Sequence, residues 1–241
     1  MRLGVLMVAL LGVVWSTYAT TPKGEDEGRK KVGLVLSGGG AKGAAHVRVL
    51  QVLEEAEIPI DYIAGTSMGA IVGGLYAIGY TPAELDSLLR TQDWLSLLSD
   101  QIGRENQYYS ERQHTDRYIA RYSLSQESRV IPAGILPGES VMNMLNELTI
   151  GYHEMESFDD LPIPFACVSY DIVTGEEYVS RSGSLPMAIR ASMSIPAAFL
   201  PVRTDSMILV DGGVYNNFPV DVVRQMGAEI VIGVDLYDGP Y

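Results

Sequence analysis

Cysteine is nearly absent from this 241-residue chain, which holds Cys167 alone. One thiol excludes an internal disulfide and any paired-cysteine metal motif. Cys167 lies in the apolar stretch PFACVSYDI, where a buried strand position is expected. Histidine is scarce too. His46, His114 and His153 stand apart, without the clustering of metal ligands, so no metal site is expected. Positive charge is short: 17 Lys and Arg face 30 Asp and Glu, a net charge of −13. Such a surface disfavours nucleic acid and simple electrostatic docking on anionic lipid. Any contact with lipid should therefore be apolar and local. A long hydrophobic run is missing as well. LGVLMVALLGVVW, behind Met1-Arg2, is too short to span a membrane comfortably. Thr17 and Ala19 follow, then polar TTPKGEDEGRKK. Residues 1–19 therefore read as a secretory signal peptide cut after Ala19, with an uncleaved anchor as the alternative, and residues 20–31 as a polar linker. No cysteine follows the apolar run, which argues against a lipid-anchored lipoprotein.

What is present suits one α/β domain over residues 32–241. Hydrophobic residues at 47% and charged residues at 20% allow a sizeable core. VGLVLS and YIAG are apolar strand candidates, each followed by a helical stretch. Strand, helix, strand, helix implies parallel strands with crossovers. Thr81-Pro82-Ala83-Glu84 has the form of a capping box with proline at the first helical position. The signal weakens from Asp93 to Gly151, where DWLSLLSDQIG and GESVMNMLNELTIGY look helical and RYIARYSL and SRVIPAGIL look like short strands or a hairpin. This middle is expected to cap the sheet and help form a groove. IPFACVSYDIVTGEEYVSR reads as a hairpin turning at Thr174-Gly175, and SLPMAIRASMSIP as a short amphipathic helix. SMILVDGG is a strand ending in an acid and two glycines, and a last helix and strand follow in VDVVRQMGA and EIVIGVDL. Open α/β domains usually carry helices on both faces, so an ending there leads us to expect a fragment of a longer polypeptide.

The chemistry gathers at three glycine-rich corners. In DYIAGTSMGAIVGG a serine stands between glycines where strand becomes helix, the pattern of a nucleophile elbow. Gly65 and Gly69 would allow the sharp turn and close neighbours. Ser67 would stand exposed at the sheet's end, with the Met68 amide at a helix N-terminus where an anion is favoured. A serine needs a base. An α/β-hydrolase places its histidine after the acid, and no histidine follows FACVSYD. His46 precedes the serine on a helix and reads as structural; His114 and His153 fall in polar stretches and read as exposed. Asp211 is the better candidate base. It ends the apolar strand MILV ahead of Gly212 and Gly213, and carboxylates at the C-terminal ends of parallel strands meet ligands in the crevice there, where Ser67, also after a strand end, can converge with it. The alternative for Asp211 is a turn aspartate bonded to its own backbone. The third corner, GGGAKG, spans Gly38, Gly39, Gly40, Ala41, Lys42 and Gly43. Its amides can converge on one oxygen as an oxyanion hole. A dinucleotide site is the competing reading, but it asks for an acid at the end of the next strand, and Asp61 precedes that strand.

In this order, G-G-G-A-K-G at 38–43, G-T-S-M-G at 65–69 and D-G-G at 211–213 resemble the patatin-like phospholipase family. The resemblance runs from about Lys31 to the chain end, and RASMSIPAAFLPV and NNFPVD are similar to its bacterial branch. It implies a three-layer α/β/α fold with a mainly parallel central sheet. It implies a Ser-Asp dyad without histidine, Ser67 as nucleophile and Asp211 as base. It implies Gly38, Gly39, Gly40 and Gly43 in an oxyanion loop, neither metal nor cofactor, and hydrolysis of acyl esters of phospholipid or lysophospholipid at a membrane surface. Other esters, a nucleotide-binding enzyme and a non-catalytic membrane-binding module are the alternatives. With the leader, the resemblance implies export to periplasm, outer membrane or exterior, and a chain similar to the passenger half of a protein that continues into a periplasmic module and an outer-membrane barrel.

Overall fold

The structure, a computed structural model, describes residues 28–100 and 136–236. The leader, most of the linker, His114, RYIARYSL, all but the last residue of SRVIPAGIL and the final five residues lie outside the described residues. Among the described residues, seven strands form one sheet: β1 (Val32–Leu36), β2 (Tyr62–Thr66), β3 (Phe165–Asp171), β4 (Glu176–Ser180), β5 (Val202–Arg203), β6 (Ile208–Asp211) and β7 (Ile230–Val234). Their order is β5-β6-β3-β2-β1-β7, with β4 beside β3. The α-helices among the described residues are α1 (Ala44–Glu55), α2 (Met68–Ala77), α3 (Pro82–Thr91), α4 (Trp94–Leu98), α5 (Glu139–Leu148), α6 (Leu185–Ser192) and α7 (Val220–Gln225). Among the described residues, no helix is long and apolar enough to cross a membrane.

Alternation along the strands divides the core in two. Leu34, Leu36, Ile63, Phe165 and Cys167 pack with residues of α1, α2, α3, α5 and α6, among them Leu50, Leu75, Leu85, Leu145 and Ile189. Val35, Ala64, Ala166 and Val168 face the other way, onto Val222, Val223 and Met226 of α7 and its end. Both faces are covered, as continuous apolar parallel strands require. The result is the three-layer α/β/α arrangement, with one thick layer and one thin. Gly33 permits the thin one: a Cβ there would lie 2.5 Å from Val223 Cγ2. Cys167 is buried on β3, as expected. The capping box of α3 is formed, with the Glu84 amide donating to Thr81 Oγ1 at 3.3 Å and the Thr81 amide to Glu84 Oε2 at 2.8 Å.

Strand direction positions the site. β7, β1, β2 and β3 run parallel, whereas β6 runs antiparallel to β3. β2 pairs with β3 from Ile63↔Phe165 to Thr66↔Val168, and β6 takes over on the same edge at Ser169↔Asp211. β4 pairs with the opposite edge from Cys167 to Asp171. The C-terminal ends of β2 and β6 therefore meet head to head along β3. The expectation of two carboxyl ends on parallel strands is corrected here: one approaches from below and the other from above.

Candidate active site

Ser67 is the single residue between β2 and α2. Its backbone takes φ 53° and ψ −118°, a conformation that costs a non-glycine residue energy and persists only where neighbours enforce it. Gly65 and Gly69 make the corner possible. A Cβ on Gly65 would stand 2.5 Å from the Gly69 carbonyl oxygen, and one on Gly69 would run into the backbone of Leu36 and Ser37. Helix α2 therefore rests directly on the end of β1, which lifts Ser67 to the sheet's edge.

The Ser67 hydroxyl donates to Asp211 Oδ2 at 2.7 Å. The other carboxylate oxygen, Oδ1, accepts the Gly213 amide at 2.7 Å. Asp211 is thus both a turn aspartate and a hydrogen-bond partner of the serine. Ser67 is 7% exposed and Asp211 5%. Burial pushes the Asp211 carboxyl up from its usual range, and the Ser67 hydroxyl and the Gly213 amide only partly offset this. A raised carboxylate is a stronger proton acceptor, which suits a group that must take a hydroxyl proton. Gly212 lets the turn pass β3, since a Cβ there would meet the Val168 carbonyl carbon at 2.7 Å.

The glycine loop lies over the serine. A Cβ on Gly38 would sit 3.2 Å from Ser67 Cβ. Gly38 itself donates its amide to the Asn217 carbonyl at 3.2 Å. The Gly39 and Gly40 amides make no backbone hydrogen bond among the described residues outside regular elements. Gly40 has φ 54° and begins a short 3-10 turn ending at Gly43, which is buried against Met68. Lys42 is exposed and lines neither cavity at the site.

Two cavities meet at Ser67. One of about 270 Å³ is lined by Gly38, Gly39, Gly40, Asp211, Asn217 and Val214 among others. The second, about 320 Å³, is lined largely by apolar groups, including Ile71, Leu89, Trp94, Leu98, Met193 and Phe199. Trp94 and Leu98 belong to α4, so this part of the chain does help form the groove expected of it.

His46 is fully buried and donates Nε2–H to the Ser37 carbonyl at 2.8 Å. Burial lowers its pKa, and the bond to Ser37 partly opposes this. It makes no hydrogen bond to Ser67. His153 bonds the Asn146 carbonyl at 3.2 Å. Asp61 lies at the opposite end of the sheet, tied to Arg29 at 2.7 Å, Lys31 at 3.1 Å and the Val32 amide at 2.8 Å. Burial would raise its pKa, but these donors outweigh burial and lower it. An acid so placed cannot reach a ribose at the glycine loop, and the nucleotide reading loses its partner.

A family model described as "Patatin-like phospholipase" matches residues 34–224. The chain belongs to the patatin-like phospholipase family. A patatin-like phospholipase domain-containing protein of Caenorhabditis elegans is 38% identical over 208 residues, 85% of this chain and 13% of that protein. An NTE family protein of Mycobacterium tuberculosis is 34% identical over 207 residues, 86% of this chain and 30% of that one. The chain thus spans less than a third of either relative. The crystal structure of VipD from Legionella pneumophila aligns with a TM-score of 0.54 at 17% identity, covering 85% of this chain and 49% of that one, a likeness of fold.

Sequence reasoning left four residues of the patatin-like site without a role. Asn217 pins the glycine loop. Arg190, Ser192 and Ser194 surround the serine and the acid from behind. The segments RASMSIPAAFLPV and NNFPVD carried the signal, but no local rule tells which of their polar groups turn inward.

Proposed function

We propose that this domain is a serine acyl hydrolase acting on phospholipid or lysophospholipid esters. The observation that carries the reading is the 2.7 Å hydrogen bond from Ser67 to the buried Asp211, at the meeting point of a glycine-lined and an apolar cavity. The apolar cavity takes the acyl chain, and the ester carbonyl lies over Ser67. The hydroxyl oxygen attacks the carbonyl carbon while Asp211 Oδ2 accepts the proton. The amides of Gly39, Gly40 and Met68 hold the oxyanion, each worth about 3 kcal/mol in the barrier. Collapse breaks the bond to the leaving alcohol oxygen, which takes the proton from Asp211. A water then gives its proton to Asp211 and attacks the acyl-enzyme, and Ser67 leaves with that proton as the fatty acid is freed. The acidic surface makes lipid contact apolar and local rather than electrostatic. Export by the leader, delivery to periplasm, outer membrane or exterior, and covalent continuation into a module and barrel are part of the proposal.

The test uses a fluorophosphonate probe, followed by peptide mass spectrometry. Modification of Ser67 is expected, and Ser67→Ala and Asp211→Asn should each lose hydrolysis by on the order of 10⁴-fold or more with the fold retained. Incubation with phosphatidylcholine, lysophosphatidylcholine and triacylglycerol then reads the substrate class. Near wild-type turnover in either variant would sink the dyad.

A further inference from the structure

The segment Arg190–Ser194 at the end of α6 touches both halves of the pair. Ladder pairing between β2 and β3 stops at Thr66↔Val168, one residue short of Ser67. The Ser192 hydroxyl supplies the missing rung. Its Oγ accepts the Ser67 amide at 2.9 Å and donates to the Val168 carbonyl at 2.5 Å. Ser192 is fully buried. Two residues on, the Ser194 carbonyl accepts the Asp211 amide at 2.9 Å. The Ser194 hydroxyl is itself fixed, accepting from Arg190 Nη1 at 2.6 Å and donating to the Arg190 carbonyl at 2.9 Å. The guanidinium is held by the Pro137 carbonyl at 2.9 Å and lies over the Phe199 ring at 5.0 Å.

We infer that Ser192 is a positioning residue for the acyl-transfer reaction. Its hydroxyl holds Ser67 in the positive-φ conformation that aims Oγ at Asp211. The role rests on the Ser67–Asp211 reading above. Strain at Ser67 must be enforced by its surroundings, and the amide of Ser67 is the backbone group nearest the strained torsion. Without the hydroxyl, that amide and the Val168 carbonyl both lose a buried partner, and the corner relaxes. Ser192 touches no reacting atom, so it acts on the rate of attack rather than on ester binding. A misplacement of about 1 Å at a reacting group costs on the order of 100-fold in rate.

The test compares Ser192→Ala, Ser192→Thr and a control, Ser180→Ala, which deletes a buried hydroxyl on β4 away from the site. Hydrolysis of a soluble short-chain ester and the rate of fluorophosphonate labelling are measured on samples with intact circular dichroism. Ser192→Ala should lower kcat and the labelling rate by roughly 10- to 100-fold, with KM within about twofold. Ser192→Thr, which keeps the hydroxyl, should recover most of the rate, and Ser180→Ala should keep it. A Ser192→Ala enzyme that loses melting temperature but keeps kcat overturns the role, as does a Thr variant no faster than the Ala variant. If Ser192→Ala does not fold, the Thr variant decides: near wild-type kcat supports the role, and a folded but slow enzyme overturns it. An inert wild type sinks the proposed function and this role with it, whereas an active wild type with an unaffected Ala variant sinks this role alone.

Discussion

Two glycines four residues apart on α2 should respond differently to the same added methyl group. A Cβ on Gly69 would meet the Leu36 carbonyl carbon at 2.6 Å and the Ser37 carbonyl oxygen at 2.7 Å, both backbone atoms that cannot step aside. A Cβ on Gly73 would meet Ile63 Cγ2 at 3.0 Å and Leu36 Cδ1 at 3.3 Å, the ends of side chains that can yield. Helix propensity favours alanine over glycine by about 1 kcal/mol at either position. At Gly69, overpacking against backbone costs about 3 kcal/mol, leaving Gly69→Ala destabilised by about 2 kcal/mol. At Gly73, a tight but yielding contact costs about 1 kcal/mol, so Gly73→Ala comes out near neutral. For a domain of this size the difference is a gap of about 4–8 °C in Tm. Differential scanning calorimetry of both variants reads it directly. Because Gly69 lies two residues after Ser67, Gly69→Ala should also slow labelling of the serine. Equal melting temperatures for the two variants would refute the claim that α2 sits on β1 through backbone contact.

Asp211 gives a coupled prediction in rate and stability. The acid limb of kcat/KM should lie above the usual aspartate value of 3.8, because burial raises the carboxyl and only its ionised form accepts the proton; a limb at or below that value counts against Asp211 as base. A carboxyl raised by folding stabilises the fold below its unfolded pKa, and that contribution is lost as pH rises through the folded pKa. Asp211→Asn should therefore melt higher than wild type at pH 7, with the advantage shrinking as pH falls toward 3.8, and a lower melting point at pH 7 would contradict the burial argument. His46 has its pKa lowered by burial, so its share of stability is present above about 6.5 and fades as pH falls. His46→Gln should lose that component and keep fluorophosphonate labelling; a folded His46→Gln protein that labels as poorly as Asp211→Asn would reassign the base. EDTA should leave hydrolysis of a soluble short-chain ester unchanged, since on the proposed mechanism a serine and a carboxylate supply both nucleophile and base; activity lost and then restored by a divalent ion would say otherwise.

Much of the site was legible because its demands are local. A turn as tight as Gly65–Gly69 admits few residue types, and Asp211 announces itself by ending an apolar strand before two glycines. What stayed hidden depends on distant contact. Apolar and β-branched content marks β6 as a strand without telling which way it runs, so its antiparallel approach could not be read from MILV. Gly38 looked like any other member of its loop until Asn217, from the far end of the chain, took its amide. Ser192 and Ser194 look like the polar face of a short helix, yet both turn into the core because unpaired backbone groups wait for them there. The folding of the middle region was faint for a related reason: α4 is held by what it covers more than by any strong periodicity of its own.

The head-to-head meeting of β2 and β6 also sets when the chain becomes reactive. Ser67 and its partner stand 144 positions apart, and the acid comes last. A chain emerging from the ribosome can form β1, α1 and β2 before Ser192 arrives to hold the elbow. Ser67 still lacks its carboxylate partner until the sixth strand returns down the edge of the third. Contacts of such long separation form late, after the entropy of closing the loop has been met. On the proposed mechanism, the domain stays inactive for most of its own synthesis. Completion of the sheet is the event that arms it.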